Sequence, residues 1–113
     1  MNRVVLIGRL TKDPEMKVFE ESGKVNTKFI LAVERNFKNK NGEREADFIP
    51  VTFWGKRAEV VNDHLLKGKL ISVTGRLQTH SYEDAEGKRK YISEVIADEF
   101  QFIDSKKKEE NII

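Results

Sequence analysis

Four aromatic residues, Phe37, Phe48, Trp54 and Tyr82, stand beside lysine, arginine or hydrogen-bonding side chains instead of inside apolar runs. Phe37 follows Arg35 and leads into Lys38 and Lys40. Trp54 is followed by Lys56 and Arg57, and Tyr82 closes the series Arg76, Gln78, His80. A flat ring offers a stacking face, and a neighbouring cation offers a hook for an anion. The ligand that suits such interleaving is a flexible polyanion carrying flat bases, a single-stranded nucleic acid held without reading its sequence. Stacking is worth roughly 1–3 kcal/mol per base. Each neutralised phosphate adds a salt-dependent term, with a slope of about 0.7 on single strands.

Each of these residues also has a structural alternative. Aromatic burial is favourable enough that any one ring can belong to a core. Tyr82 can pack across strands at the base of a hairpin, Phe37 can plug the open end of a barrel, and Arg76 and Lys56 can be solvated charges.

Catalysis finds less support. Asp47, Asp63, Asp84 and Asp98 are scattered over different segments, and Glu20-Glu21 and Glu109-Glu110 have no metal-ligand spacing. His64 and His80 form no H-x-x-x-H pair, and with no cysteine in the chain a zinc site is not expected. Ser72, Ser81 and Ser93 lack a nucleophile-elbow context, and no Gly-x-x-x-x-Gly-Lys phosphate loop occurs. The expectation is a binding protein with no enzymatic activity, no metal and no cofactor, in which His80 contacts ligand or water.

The elements that must position the aromatics are mostly strands. Val4–Leu10 is β-branched and leucine-rich, with Gly8 marking a bulge or bend before Asp13-Pro14 breaks it. Val25–Asn36 alternates, with Thr27, Phe29, Leu31 and Val33 on one side. The polar stretch 38–45 contains Asn41-Gly42, a pair suited to the positive φ angles of a hairpin turn. In 47–55, Ile49, Val51 and Phe53 point one way and Phe48, Pro50, Thr52 and Trp54 the other. The aliphatic side is the better core, which leaves Phe48 and Trp54 on the opposite face. Residues 56–67 change to helical period, with Ala58, Val61 and Leu65 in one stripe and Gly68 placed to cap the helix. Leu70–Tyr82 returns to alternation, Ile71, Val73, Gly75 and Leu77 inward and Thr74, Arg76, Gln78, His80 and Tyr82 outward. A second turn falls at Glu86-Gly87. The last strand, 90–103, is apolar on both parities and therefore calls for a bulge or burial on both sides.

Three strands, a helix and two further strands suit a five-stranded Greek-key barrel of the OB type, all-β with one helix and long projecting hairpins. At 113 residues the chain fits one domain. The 21 Lys and Arg against 19 Asp and Glu leave a net charge of only +2, so any grip on a polyanion must come from local clustering. The apolar run at the N-terminus is too short for a signal peptide or a membrane span, which makes a cytoplasmic location the expectation.

The segments MNRVVLIGRLTKDPE (1–15), LAVERNF (31–37), GEREADFIPVTFWGKRAE (42–59), KGKLISVTGRLQTHSY (67–82) and EVIAD (94–98) closely resemble the bacterial single-stranded DNA-binding proteins. The resemblance covers about residues 1–103. It implies an OB-fold protomer that assembles into a homotetramer built from dimers and holds single-stranded DNA during replication, recombination and repair. The stacking positions it implies are Phe37, Phe48, Trp54 and Tyr82. The basic contacts it implies are Arg35, Lys56 and Arg76, then Arg3 and Arg9, with Asn2–Leu10 similar to the strand through which protomers of that family pair. A long linker ending in an acidic tip, the family's device for recruiting replication and repair proteins, has no counterpart here. Residues 104–113 read instead as a short, disordered, charge-neutral tail, so recruitment through it is not expected. The competing reading is an OB-fold module whose aromatics bind a protein partner, like a primosome-type accessory protein.

Overall fold

A computed structural model describes residues 1–103; the charged tail expected over 104–113 lies outside the described residues. The elements are β1 (Val4–Leu10), β2 (Glu15–Val18), β3 (Val25–Lys38), β4 (Arg44–Trp54), α1 (Lys56–His64), β5 (Leu70–Glu83) and β6 (Arg89–Phe102). The sheet runs β1-β5-β6-β4-β3-β2, and a further β1–β3 pairing closes five of its strands into a barrel, with β2 added outside on β3. All pairs are antiparallel except β4–β6, where Val51, Thr52 and Phe53 run alongside Val95, Ile96 and Ala97. This is the OB-type barrel that the strand order predicts, with the short β2 as an unforeseen extra.

Alternation decides what lies inside. Thr27, Phe29 and Leu31 of β3, Val51 and Phe53 of β4, and Ile71 and Val73 of β5 are buried, as their parity requires. Phe29 stacks on Phe53 at 6.2 Å, and Phe100 meets Phe53 edge-on at 5.9 Å. Ala58 and Val61 of α1 join the same core, and the buried Thr27 hydroxyl donates to the Ala58 carbonyl at 2.7 Å, tying the helix to the barrel. Gly8 sits where β1 begins to pair with β3 as well as β5: a Cβ there would come within 2.3 Å of the Ala32 carbonyl oxygen, a separation only glycine allows.

The bulge expected in the last strand is Asp98. Gly75 lies opposite Ala97 and Thr74 opposite Glu99, so Asp98 has no opposite residue. One extra residue inverts the parity, which lets Val95 and Ala97 before it and Phe100 after it all turn toward the core.

Three local expectations are corrected. The helix ends at His64, not at Lys67, because the next backbone groups are engaged elsewhere. Leu65 is extended yet buried, the Lys67 N–H donates to Asp13 at 2.8 Å, and the Gly68 N–H donates to the Leu10 carbonyl at 2.8 Å. Gly68 therefore turns the chain into β5 and does not cap α1. In the first hairpin only Gly42 has positive φ, since the Asn39 carboxamide oxygen accepts from the N–H groups of Asn41 and Glu43 and organises the turn itself. Asp84 does the same for Glu86 and Lys88 in the second. Leu77, assigned inward by parity, is 45 % exposed, because the β5–β6 hairpin projects past the barrel and has no second layer there.

Candidate nucleic-acid interface

The barrel's outer face is built by residues that alternate away from the core. On β4 these are Phe48, Pro50, Thr52 and Trp54, and the register sets them opposite Ala32, Ile30, Lys28 and Asn26 of β3. On β5 they are Arg76, Gln78, His80 and Tyr82, opposite Ile96, Glu94, Ile92 and Lys90 of β6. Phe48 is 66 % exposed, Trp54 42 %, Tyr82 48 % and Phe37 66 %, so none of the four is a core residue.

Side chains stitch the two halves of this face together. The Thr52 hydroxyl donates to Glu94 Oε2 at 2.7 Å, and Glu94 Oε1 lies 2.7 Å from His80 Nε2. Gln78 reaches His80 at 3.2 Å and receives a 3.3 Å bond from Arg76. The chain of contacts runs from β4 through β6 to β5, placing Trp54's strand and Tyr82's strand on one continuous surface. Beside it lies a groove of about 620 Å³ lined by Phe19, Lys28, Pro50, Trp54, His80 and Glu94. Burial works against a charge on Glu94, yet the hydrogen bonds from Thr52 and His80 and the nearby Lys28 outweigh it and hold the carboxyl below its usual range.

Phe37 occupies a different setting. Glu34 lies opposite Ala46 and Lys38 opposite Arg44, so Arg35, Asn36 and Phe37 face only Glu45 across the ladder. This irregularity in the projecting hairpin leaves the ring in solvent, and the plug reading fails. The same irregularity carries Arg35, whose guanidinium binds Asp47 at 2.8 Å and Glu45 at 3.3 Å. The hydrogen bond and charge of Asp47 raise the Arg35 pKa, and Arg35 lowers that of Asp47.

The other cations vary in how free they are. Arg3 pairs with Asp98 at 3.0 Å at the β6 bulge. Arg9 shares a row with Ala32 and Phe48 and donates to the Gly68 carbonyl at 2.8 Å. Lys56 opens α1 one residue beyond Gly55, next to Trp54, and has no ion-pair partner among the described residues. The surface thus brings together Phe48, Trp54, Arg76, His80 and Tyr82, with Lys56 and Arg9 at its margins. It leaves Phe37 and Arg35 on the projecting hairpin and Arg3 at the bulge.

Sequence reasoning missed Phe19, Lys28 and Glu94. Lys28 lies opposite Thr52, on the face of β3 away from the buried Thr27, Phe29 and Leu31. Phe19 stacks on Trp54, ring centroids 5.7 Å apart and planes at 22°. Among the described residues no three His, Asp or Glu side chains gather in a way that would hold a metal.

A five-stranded barrel with exposed aromatics, cations and a groove on one face is the arrangement of an oligonucleotide-binding OB domain. The model of the single-strand binding protein family matches residues 1–103, and the chain belongs to that family. It is 57 % identical over 104 residues to a single-stranded DNA-binding protein of Clostridium tetani, covering 92 % of this chain and 71 % of that one. Single-stranded DNA-binding protein 1 of Clostridium acetobutylicum is 52 % identical over 107 residues, 95 % of this chain and 97 % of the relative. Single-stranded DNA-binding protein 1 of Staphylococcus aureus is 50 % identical over 111 residues, 98 % of this chain and 70 % of the relative.

Proposed function

We propose that this chain binds and protects single-stranded DNA without marked sequence preference, acting in replication, recombination and repair by binding alone, without catalysis. The observation that carries the reading is on β4. Its aliphatic residues fill the core while Phe48 and Trp54 remain exposed on the opposite face, the cost in exposed apolar surface that a stacking platform demands. In this reading bases stack on Phe48, Trp54, Tyr82 and Phe37. Lys56 and Arg76 meet phosphates first, Arg35, Arg9 and Arg3 join where their present partners yield, and His80 borders the track. The printed names of the relatives support the same ligand. A cytoplasmic, nucleoid-associated location belongs to this reading, and no described helix is long and apolar enough to cross a membrane.

Assembly into a homotetramer built from dimers is part of the proposal. Among the described residues β1 pairs on its β3 side only at Arg9 and Leu10, which leaves Val4–Gly8 with an open edge there carrying exposed Val5 and Ile7. An open edge of this kind is what a second protomer would cover.

The test is a titration of Trp54 fluorescence with poly(dT) at low and high salt, with light scattering for the assembly. Quenching that weakens with salt and exceeds any response to duplex is expected. An unresponsive Trp54, or equal binding to duplex, would favour the protein-partner reading.

A further inference from the structure

The short hairpin that follows β2 carries an aromatic side chain that neither its turn nor the core requires. The main chain closes this hairpin: the Phe19 N–H donates to the Lys24 carbonyl at 2.8 Å, and the Phe19 carbonyl accepts from the Gly23 N–H at 2.7 Å. Gly23 supplies the positive φ, 72°. The Phe19 ring lies outside the core cluster. It lies nearly parallel to Trp54 instead, and Lys17 Nζ stands 4.8 Å from its centroid.

The register puts these residues on the outer face. Lys17 is opposite Asn26, and Asn26 is opposite Trp54, so Lys17, Asn26 and Trp54 form one row across β2, β3 and β4. Phe19 and Trp54 together make one wall of the groove whose lining also includes Lys28, His80 and Glu94. Phe19 is half-buried but Lys17 is exposed, and a solvated cation at the surface is held over a ring weakly enough to be exchanged for a phosphate. The carboxylate of Glu94 in the groove lining, 15 % exposed, repels a phosphate, which leaves the base to enter and the backbone to stay outside, toward Lys17.

We propose that Phe19 and Lys17 form a further nucleotide subsite, in which the single strand continues past Trp54 onto the β2 hairpin with one base against the Phe19–Trp54 wall and its phosphate on Lys17. The subsite rests on the single-stranded DNA reading and extends its track by an element that the four original aromatics do not reach.

The direct test uses the unaltered full chain and an oligo(dT) carrying 5-iodouracil, cross-linked by ultraviolet light and mapped by peptide mass spectrometry. A cross-link to Phe19 is expected alongside those to the other rings; cross-links confined to Phe37, Phe48, Trp54 and Tyr82 overturn the subsite. In parallel, Phe19→Ala should weaken oligonucleotide binding about five- to hundredfold at fixed salt. Lys17→Gln should lower the salt slope by about 0.7. If Phe19→Ala, folded by its melting curve, binds like the parent while Trp54→Ala binds weakly, the subsite is overturned and the single-stranded DNA reading stands. If the parent itself ignores oligo(dT), the underlying reading is overturned.

Discussion

Glu94, set opposite Gln78, and His80, set opposite Ile92, meet on the diagonal of the β5–β6 ladder with Oε1 and Nε2 2.7 Å apart, and the second oxygen of Glu94 takes the Thr52 hydroxyl at the same distance. A carboxylate with only 15 % of its side chain exposed thus joins three strands in the middle of the candidate binding face. Burial opposes its charge, but the Thr52 and His80 hydrogen bonds and Lys28 outweigh the penalty and keep its pKa below the ordinary 4.5. A carboxyl whose pKa is lower folded than unfolded binds fewer protons in the folded state, so its stabilisation is complete above 4.5 and is lost as pH falls through the depressed value. The melting temperature should therefore be flat near neutrality and drop once pH passes below that ordinary value. Glu94→Gln should show a shallower acid drop than the parent in thermal melts recorded across the acid range.

The aromatic platforms separate binding from stability. Phe48 is two-thirds exposed and Trp54, though stacked on Phe19, is 42 % exposed and like Phe48 lies outside the core cluster, so alanine at either position leaves the core intact. Phe48→Ala and Trp54→Ala should each weaken single-stranded DNA binding by about 1–3 kcal/mol. Their melting temperatures should stay within a few degrees of the parent, consistent with the small stability effects of surface substitutions. Fluorescence anisotropy of a labelled oligonucleotide and circular dichroism melts measure the two effects. Unfolding of Trp54→Ala would return that ring to a structural role.

These two rings were legible in the sequence because period-two alternation is strong in β4: three aliphatic or aromatic core residues interleave with the outward set, and no bulge interrupts them. Glu94 was not legible, because its face depends on the register of β6, and that register turns on one unpaired residue, Asp98, whose position the apolar residues on both parities do not fix even though they call for a bulge. Phe19 was hidden by the brevity of β2. Four residues after Asp13-Pro14 cannot show a period, and the strand exists only because β3 continues far enough to pair with it. The end of α1 failed for a related reason: Leu65 satisfies the helical stripe as a buried side chain while its backbone has already become extended. Side-chain pattern reports burial, and backbone conformation follows from which hydrogen-bond partners the tertiary structure supplies.

Among the cations proposed to meet phosphates, Arg35 is heavily engaged, with Asp47 and Glu45 both on its guanidinium. A cation already neutralised releases few counterions from DNA, whereas an unpaired one releases its full share. Lys56→Ala should therefore reduce the salt slope of single-stranded DNA binding by about 0.7. Asp47→Asn, which leaves Glu45 as the one carboxylate on the arginine, should raise both the slope and the low-salt affinity. Titrations at four or more salt concentrations resolve the two. A Lys56→Ala slope equal to the parent's would remove Lys56 from the phosphate track.

The barrel's closure depends on two glycines whose absent side chains make room for backbone. A Cβ at Gly8 would lie 2.3 Å from the Ala32 carbonyl oxygen, and one at Gly75 would lie 2.3 Å from the Ile96 carbonyl oxygen, at the edge of the Asp98 bulge. Both obstacles are main-chain atoms held in strand ladders, so neither can step aside as a flexible side chain would. Alanine at Gly8 must push β1 away from β3, where, among the described residues, Arg9 and Leu10 supply the two residue pairs that complete the ring of strands. Alanine at Gly75 must displace β6 at the point where its parity inverts. Overpacking of this kind costs about 1–3 kcal/mol, and the loss at Gly8 should also loosen the edge that the dimer is proposed to use. Urea melts should thus show both variants destabilised, with Gly8→Ala alone shifting the assembly state in light scattering. Gly75→Ala serves as the control that separates a barrel loosened in general from a β1 edge displaced in particular.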